Sequence, residues 1–199
     1  MQMQKPAIIG ITGGIGSGKS TVARYLCAQG YKVYDSDVAA KKIQNEDANV
    51  RAATIQLFGK EAYTANGMNR PFVAKCVFEN KKLLQKLNEI VHPAVKADFL
   101  KWVKNNADED IVFIESAILY ESGFNTLVDK VLLISASKET RIWRVMRRDN
   151  ATREMVIQRI ENQTDAEELK QKADIVLYTD DDIPMNVKIF VLLKKLTQN

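Results

Sequence analysis

A short run near the amino end combines the residue types that phosphate binding needs: Gly13-Gly14-Ile15-Gly16-Ser17-Gly18-Lys19-Ser20-Thr21. Its four glycines allow the backbone to fold so tightly that N–H groups point at an anion, a conformation that a Cβ atom would obstruct. Lys19 adds a positive charge, and the Ser20 hydroxyl is suited to coordinating a magnesium ion that bridges the terminal phosphates. The run predicts a loop that binds a nucleotide through its phosphates; a glycine-rich turn without a ligand is the alternative.

Two aspartates, Asp35 and Asp37, follow a second apolar segment, Tyr31-Lys32-Val33-Tyr34, which predicts a short strand. Residues two apart in an extended chain face the same way, so we expect both carboxylates to meet the same substrate. One of them is suited to accept the proton of an attacking hydroxyl or to hold magnesium. The alternative is that they cap a helix that begins near Val38, a position that aspartate often fills.

Three arginines, Arg141, Arg144 and Arg148, recur at spacings that place them along one face of a helix. Such cations on a mobile helical cover suit phosphoryl transfer, because a planar cation stabilises the charge that spreads over the migrating group. The cover also keeps water away from that group. A solvated basic face is the alternative interpretation.

Strands and helices in a regular order must position these residues. An apolar strand, Ala7-Ile8-Ile9-Gly10-Ile11-Thr12, precedes the loop, and apolar residues at helical spacing follow it. Further apolar runs predict strands at 111–114, 130–135 and 173–178, with Glu115 at the end of the third strand as a candidate near magnesium. The sequence predicts an α/β fold of the P-loop NTPase type, a parallel five-stranded sheet flanked by helices.

The stretch 38–106 is too long for a simple crossover between parallel strands and reads as mostly helical, so we expect a separate lobe. Its apolar stripe is predicted to end at His92-Pro93. His92 is the only histidine, and a structural hydrogen bond is the alternative to a functional role for it. Arg70 is either functional or a solvated surface residue.

Composition agrees with a soluble enzyme without choosing a reaction. The chain has 199 residues, 46% of them hydrophobic, and a net charge of +4 from 29 basic and 25 acidic residues. That small excess does not demand nucleic acid, and the absence of an apolar stretch of bilayer length predicts a cytoplasmic protein. Cys27 and Cys76 lack metal-binding spacing and are predicted to be small buried residues, with a disulfide left open.

Segments spread over nearly the whole chain resemble the dephospho-coenzyme A kinase family. They begin with the loop and continue with Asp35-Ser36-Asp37, Asn69-Arg70, Leu87-Asn88, His92-Pro93, Leu119-Tyr120-Glu121, Arg144 with Arg148, Gln163 and Ala173-Asp174. The first segment is quite specific to that family among phosphate-loop kinases. The others gain weight from their order and spacing.

The resemblance implies transfer of the γ-phosphoryl of ATP, with Mg²⁺, to the ribose 3′-hydroxyl of dephospho-CoA. Asp37 matches the general base, Lys19 the loop lysine and Arg144 the arginine of the cover, with Arg148 also on the nucleotide. The acceptor is expected to meet Asp35, Asp37, Arg70, His92, Pro93 and Glu121. The implied domains are a nucleotide-binding core (1–37, 107–136 and 166–199), a helical substrate-binding insertion (38–106) and a helical lid (137–165).

The sequence departs from the family pattern at two places. Ala117 stands where a proline is usual, and Thr179-Asp180 stand where an asparagine and a glycine often follow the last strand. These departures concern details of nucleotide contacts and not the class of protein.

Other classes of phosphate-loop protein fit less well. A regulatory GTPase would need an Asn-Lys-x-Asp segment after a strand, which is absent. An ATP-dependent nucleic-acid protein would need an aromatic-rich basic stripe for stacking bases, whereas the basic residues here are interleaved with acidic ones. A nucleoside monophosphate kinase is the nearest alternative, and only the resemblance separates its substrate from dephospho-CoA. We expect a monomer or weak homo-oligomer that binds neither nucleic acid nor membrane.

Overall fold

The computed structural model describes residues 5–197, which form an α/β fold. In chain order its strands are β1 (Ala7–Thr12), β2 (Lys32–Asp35), β3 (Tyr63–Thr64), β4 (Gly67–Met68), β5 (Ile111–Glu115), β6 (Lys130–Ser135) and β7 (Ile175–Tyr178). Its helices are α1 (Lys19–Ala28), α2 (Ser36–Glu46), α3 (Ala48–Phe58), α4 (Arg70–Glu79), α5 (Lys81–Asn105), α6 (Lys138–Asp149), α7 (Arg153–Glu161), α8 (Ala166–Lys172) and α9 (Met185–Thr197). Short 3₁₀ turns lie at Lys60–Ala62 and Phe124–Leu127.

The main sheet has the strand order β2-β5-β1-β6-β7, which places β1 at its centre. β1 pairs in parallel with β5 and with β6, and β6 pairs in parallel with β7. Helices cover the sheet, so β5 is buried along its whole length and its sequence is a continuous apolar run. The predicted α/β fold with a five-stranded parallel sheet is confirmed.

The predicted strands agree closely with the observed ones, and the differences lie at their ends. β1 and β6 have the predicted bounds, whereas β7 begins two residues later than the predicted run. The reason is Asp174: its carboxylate accepts a hydrogen bond from Val131 N at 2.7 Å, while its own N–H donates to the Val131 carbonyl. The Asp174 side chain thus replaces one backbone hydrogen bond between β6 and the chain, just before β7 begins.

The chain folds as two compact units. One runs up to Tyr34 and resumes at Asn106, and the other is Asp35–Asn105. The first contains the five-stranded sheet, and the second contains α2 to α5 and the β3–β4 hairpin. The division of roles among core, substrate lobe and lid stays a prediction.

Helix α5 corrects one expectation about the second unit. Its apolar stripe does not end at His92-Pro93, because the helix continues through Pro93 to Asn105. Proline inside a helix removes one backbone hydrogen bond. Val95, Phe99 and Val103 beyond it are buried, so packing of the second half of α5 outweighs that loss.

The two cysteines also differ from expectation. Both are free thiols, and Cys27 is exposed while Cys76 is half-buried. Cys27 lies one position past the buried face of α1, which ends at Leu26. Within residues 5–197, no helix combines the length and apolar character needed to cross a bilayer.

Candidate nucleotide-binding site

The glycine-rich run lies where the central strand β1 gives way to α1. Gly16 and Gly18 have φ angles of 78° and 97°, in the left-handed region that favours glycine. A Cβ at Gly13 would lie 2.3 Å from the Ile134 carbonyl oxygen, so the loop needs glycine there for space. The first amides of α1 have no helical acceptor, and its first turn has no acidic residue. The loop therefore presents a positively polarised helix terminus to an anion.

Ser20 and Glu115 bring a hydroxyl and a carboxylate together beside the loop. Ser20 Oγ donates to Glu115 Oε1 at 2.7 Å, and Glu115 is buried at the end of β5. The register that pairs Glu115 with Ile11 of β1 fixes this proximity. In the described part of the chain no cluster of three or more His, Cys, Asp or Glu side chains could hold a metal. Two hard oxygen ligands suit an ion that takes its remaining ligands from water and phosphates.

Arg144 on α6 is anchored to the loop and to the end of β7. Its Nη1 donates to Thr179 Oγ1 at 2.8 Å and, more weakly, to the carbonyls of Gly16 and Ser17 at 3.3 and 3.4 Å. Its Nη2 donates to the Thr179 carbonyl at 2.8 Å. Thr179 Oγ1 also donates to the Ser17 carbonyl at 2.6 Å. The threonine that departs from the family pattern thus joins the cover arginine to the loop.

Arg141, one turn before Arg144 on α6, contacts the other side of the loop backbone. Its Nε donates to the Ile15 carbonyl at 2.9 Å, and its Nη2 donates to Gln163 Oε1 at 3.1 Å. The same Gln163 oxygen accepts from Ile15 N at 2.9 Å. Both peptide groups of Ile15 are therefore held by the segment 137–165. Burial lowers the pKa of the Arg141 guanidinium.

Arg148, the third arginine of the predicted stripe, hydrogen-bonds to its neighbour Asp149 and not to the loop. It donates from Nε to Asp149 Oδ1 at 2.7 Å and is exposed. Hydrogen bonding to that carboxylate raises the pKa of Arg148. Its assignment to the nucleotide stays a prediction.

Asp35 and Asp37 lie in the second unit, and the expectation that they share one face of an extended segment is wrong. Asp35 is the N-cap of α2: its Oδ1 accepts from Val38 N at 2.9 Å. Because of that cap the helix begins at Ser36, two residues earlier than predicted, and Asp37 lies in its first turn. Asp37 is exposed. A carboxylate in a first helical turn is favoured by the helix dipole.

The other predicted substrate residues divide between the two units. Arg70 begins α4 behind the N-cap Asn69, and His92 and Pro93 lie near the middle of α5. Burial, and then the positive charge of Lys96 one turn on, lower the pKa of His92. Glu121, in the first unit, accepts a hydrogen bond from Thr164 Oγ1. No pattern in the sequence predicts the contact between Glu121 and Thr164.

Two residues that hydrogen-bond to the loop, Gln163 and Thr179, have no predicted role in the sequence analysis. Both are far from the loop in sequence: Gln163 is 148 positions from its partner Ile15, and Thr179 is 162 positions from its partner Ser17. The only signals were the presence of Gln163 in a matching segment and the departure from the family pattern at Thr179. Arg141 was placed on the arginine stripe but not in the site.

The family model and the similar curated proteins described here point to one family. The family model described as "Dephospho-CoA kinase" matches residues 7–184. A dephospho-CoA kinase from Bacteroides fragilis is 39% identical over 190 residues, covering 96% of this chain and 93% of that protein. A Thermus thermophilus protein of known crystal structure has a TM-score of 0.85 at 34% identity, covering 98% of this chain and all of that one. The dephospho-CoA kinase from Campylobacter jejuni has a TM-score of 0.71 at 26% identity, covering 96% and 97% of the two chains.

Proposed function

Because the chain belongs to the dephospho-CoA kinase family and is a kinase that phosphorylates dephospho-CoA with ATP, we propose that its target atom is the ribose 3′-hydroxyl. The observation that supports ATP as the phosphoryl donor is the loop at the start of α1, where Gly18 gives the first helix amides no side-chain cap and Lys19 is the first helical residue; the target hydroxyl follows from the family. A mononucleotide acceptor, the nearest alternative, is not favoured by the family match.

The nucleotide is held through its phosphates by residues 13–21. Lys19 supplies a point charge, and Arg144, pinned by Thr179 beside the loop, supplies a planar cation for the migrating group. Charge in phosphoryl transfer spreads over the equatorial oxygens, so fixed cations lower the barrier without forming a covalent bond. Most of the rate enhancement is therefore positioning and electrostatics.

Magnesium fits the oxygen ligands beside the loop. Ser20 Oγ and the Glu115 carboxylate, 2.7 Å apart, are hard oxygen donors of the kind that Mg²⁺ prefers. When bound there, the ion would neutralise charge on the terminal phosphates. Glu115 would act directly or through a water, and Ser20 would give up its hydrogen bond to Glu115 to become a ligand.

The residues proposed to bind the acceptor are those that the resemblance implies, Asp37, Arg70, His92 and Pro93 of the second unit and Glu121 of the first. Asp37 takes the proton of the attacking hydroxyl, since Asp35 is committed to capping α2. Arg70, with His92 and Pro93, contributes to holding the CoA portion, and movement of the lid 137–165 excludes water from the site. The protein is proposed to work in the cytoplasm as a monomer or weak homo-oligomer.

The substrate assignment is tested with purified protein, ATP and magnesium. Dephospho-CoA, AMP, CMP and shikimate are supplied in parallel while ADP release is followed, and the position of the new phosphate is determined by NMR. We expect robust turnover with dephospho-CoA alone and a 3′-phosphate in the product. Lys19→Met, which removes the loop charge, should abolish that turnover and so assign it to this chain. Turnover only with a mononucleotide would overturn the assignment.

A further inference from the structure

Arg141 is a buried cation whose hydrogen-bond partners are neutral. It is 9% exposed, and in the described part of the chain its bonds go to the Ile15 carbonyl and to Gln163 Oε1. Those bonds use two of the five N–H groups of a guanidinium. The small cavity of about 20 Å³ beside it is lined by residues of the loop, of β6 with the residue that follows it and of α8 with its preceding turn, none of them acidic. Among these described neighbours, no carboxylate balances the positive charge.

Three exposed arginines farther along α6 and α7 behave differently. Arg148, Arg153 and Arg159 are exposed at the surface, and each is paired with a carboxylate at 2.7 to 2.9 Å. Removing a cation from water without an anionic partner is costly, so a buried unpaired arginine requires a compensating interaction. Nothing within the described contacts of Arg141 supplies one.

The guanidinium lies directly against the phosphate loop. A Cβ at Gly14 would be 2.2 Å from Arg141 Nη2 and 3.0 Å from Gln163 Oε1. At Gly16 a Cβ would be 2.6 Å from the Arg141 carbonyl oxygen. The Arg141 side chain therefore packs against Gly14 and its backbone packs against Gly16. A side chain at either glycine would prevent these contacts. A charge held so close to an anion site acts through a medium of low dielectric constant.

We infer that Arg141 is a further cation of the nucleotide site, positioned by Gln163, whose charge is balanced when the loop holds a triphosphate. It acts from outside the loop through the peptide groups around Ile15, whereas Lys19 and Arg144 serve the migrating phosphoryl. Gln163 is suited to this because its amide oxygen accepts two hydrogen bonds without cancelling the charge. The inference rests on one part of the proposed function, which is that the loop binds a nucleoside triphosphate.

Two substitutions at one position separate charge from structure. Gln163→Glu keeps an acceptor oxygen at the same reach, and the neighbouring guanidinium keeps the new carboxyl ionised, so both hydrogen bonds survive while the cation is neutralised. Gln163→Ala removes both hydrogen bonds but leaves the charge of Arg141 intact. Gln158→Glu makes the same chemical change on the exposed side of α7 and controls for net charge.

The readout is the affinity for a non-hydrolysable ATP analogue, measured by calorimetry, with the melting temperature of each variant. We expect Gln163→Glu to weaken binding on the order of 10-fold, since a tenfold change corresponds to about 1.4 kcal/mol. Its melting temperature should not fall. Gln163→Ala should weaken binding by about 3-fold or less while melting earlier, and Gln158→Glu should bind like the unaltered chain.

Three results would overturn the inference. Gln163→Ala could bind the ATP analogue more weakly than Gln163→Glu, or the two variants could bind it equally. Alternatively, Gln163→Glu could bind it as tightly as the control Gln158→Glu. The first two would mean that Gln163 only supports the loop structurally, and the third would mean that the charge of Arg141 does not contribute to nucleotide binding. Because binding is measured without an acceptor, failure of this inference differs from failure of the proposed function. An unaltered chain that binds the analogue but does not phosphorylate dephospho-CoA would contradict the function and leave this inference standing.

Discussion

Asp35 and Asp37 are close in sequence but lie in different local settings at the start of α2. The Asp35 side chain is used locally, since it satisfies the N–H of Val38 at the start of α2. An aspartate cap of this kind is worth about 1 kcal/mol of stability, which explains the residue without reference to catalysis. Asp37 lies exposed in the first turn of α2, and Asp35, not Asp37, is the N-cap of that helix. The proton-accepting role is therefore proposed for Asp37.

Replacing that carboxylate by an amide tests the role. Asp37→Asn should lower kcat by about 10²-fold or more, because an amide cannot accept the hydroxyl proton, while ATP affinity is unchanged. Steady-state kinetics with dephospho-CoA and calorimetry with nucleotide measure the two quantities. Asp47→Asn is the matched control: Asp47 caps α3 by accepting from Asn49 and Val50, and asparagine caps equally well. An unchanged kcat in Asp37→Asn would reject the assignment.

At the level of elements, the sequence was informative about where helices and strands lie and less so about where they end. The loop is local, so its conformation follows from nearby glycines and could be predicted. The start of α2 and the course of α5 depend on a side-chain cap and on distant packing, and neither was predicted correctly. The contacts of Arg141 and Thr179 with the loop join parts of the chain 126 and 162 positions apart, which periodicity does not reveal.

Helix α5 carries the only histidine of the chain, His92, so the effect of histidine protonation on stability can be assigned to one residue. The pKa of His92 lies below its ordinary value of 6.5 in the folded protein. Below about pH 6.5 the unfolded chain therefore binds a proton that folded His92 does not, and stability falls as pH drops toward the lowered pKa. Urea unfolding of the unaltered chain at pH 7.5 and 5.5 should show this loss, and His92→Gln should show less of it. Identical pH dependence of the two proteins would contradict the expectation.

Across the whole molecule, the five-stranded sheet makes one site from segments far apart in sequence. The register of β5 on β1 brings Glu115 to Ser20, and the end of β7 brings Thr179 to Arg144. The apolar runs predicted these strands because helices bury both faces of the sheet. The strand order rests on long-range pairing, and the sequence analysis predicts five parallel strands without their order.

The core of that sheet should dominate the stability of the first unit. Ile9 on β1 is 2% exposed within the main apolar cluster, and Ile9→Ala should lower the free energy of unfolding by about 2 to 5 kcal/mol through lost burial and a residual cavity. Ile183 is 54% exposed, so Ile183→Ala should change that free energy by about 0.5 kcal/mol or less. Chemical denaturation measures both. Similar losses in the two variants would contradict the description of the core.

The pairing of Glu115 with Ile11 also limits which changes in chain length the protein tolerates. Side chains alternate between the two faces of a strand, so deleting one residue within β5 would invert every side chain beyond the deletion and turn the Glu115 carboxylate away from Ser20. A deletion in the turn between α5 and β5 would leave that alternation intact. Length variation among functional descendants of this chain should therefore collect in the turns that enter the strands and be excluded from the strands themselves.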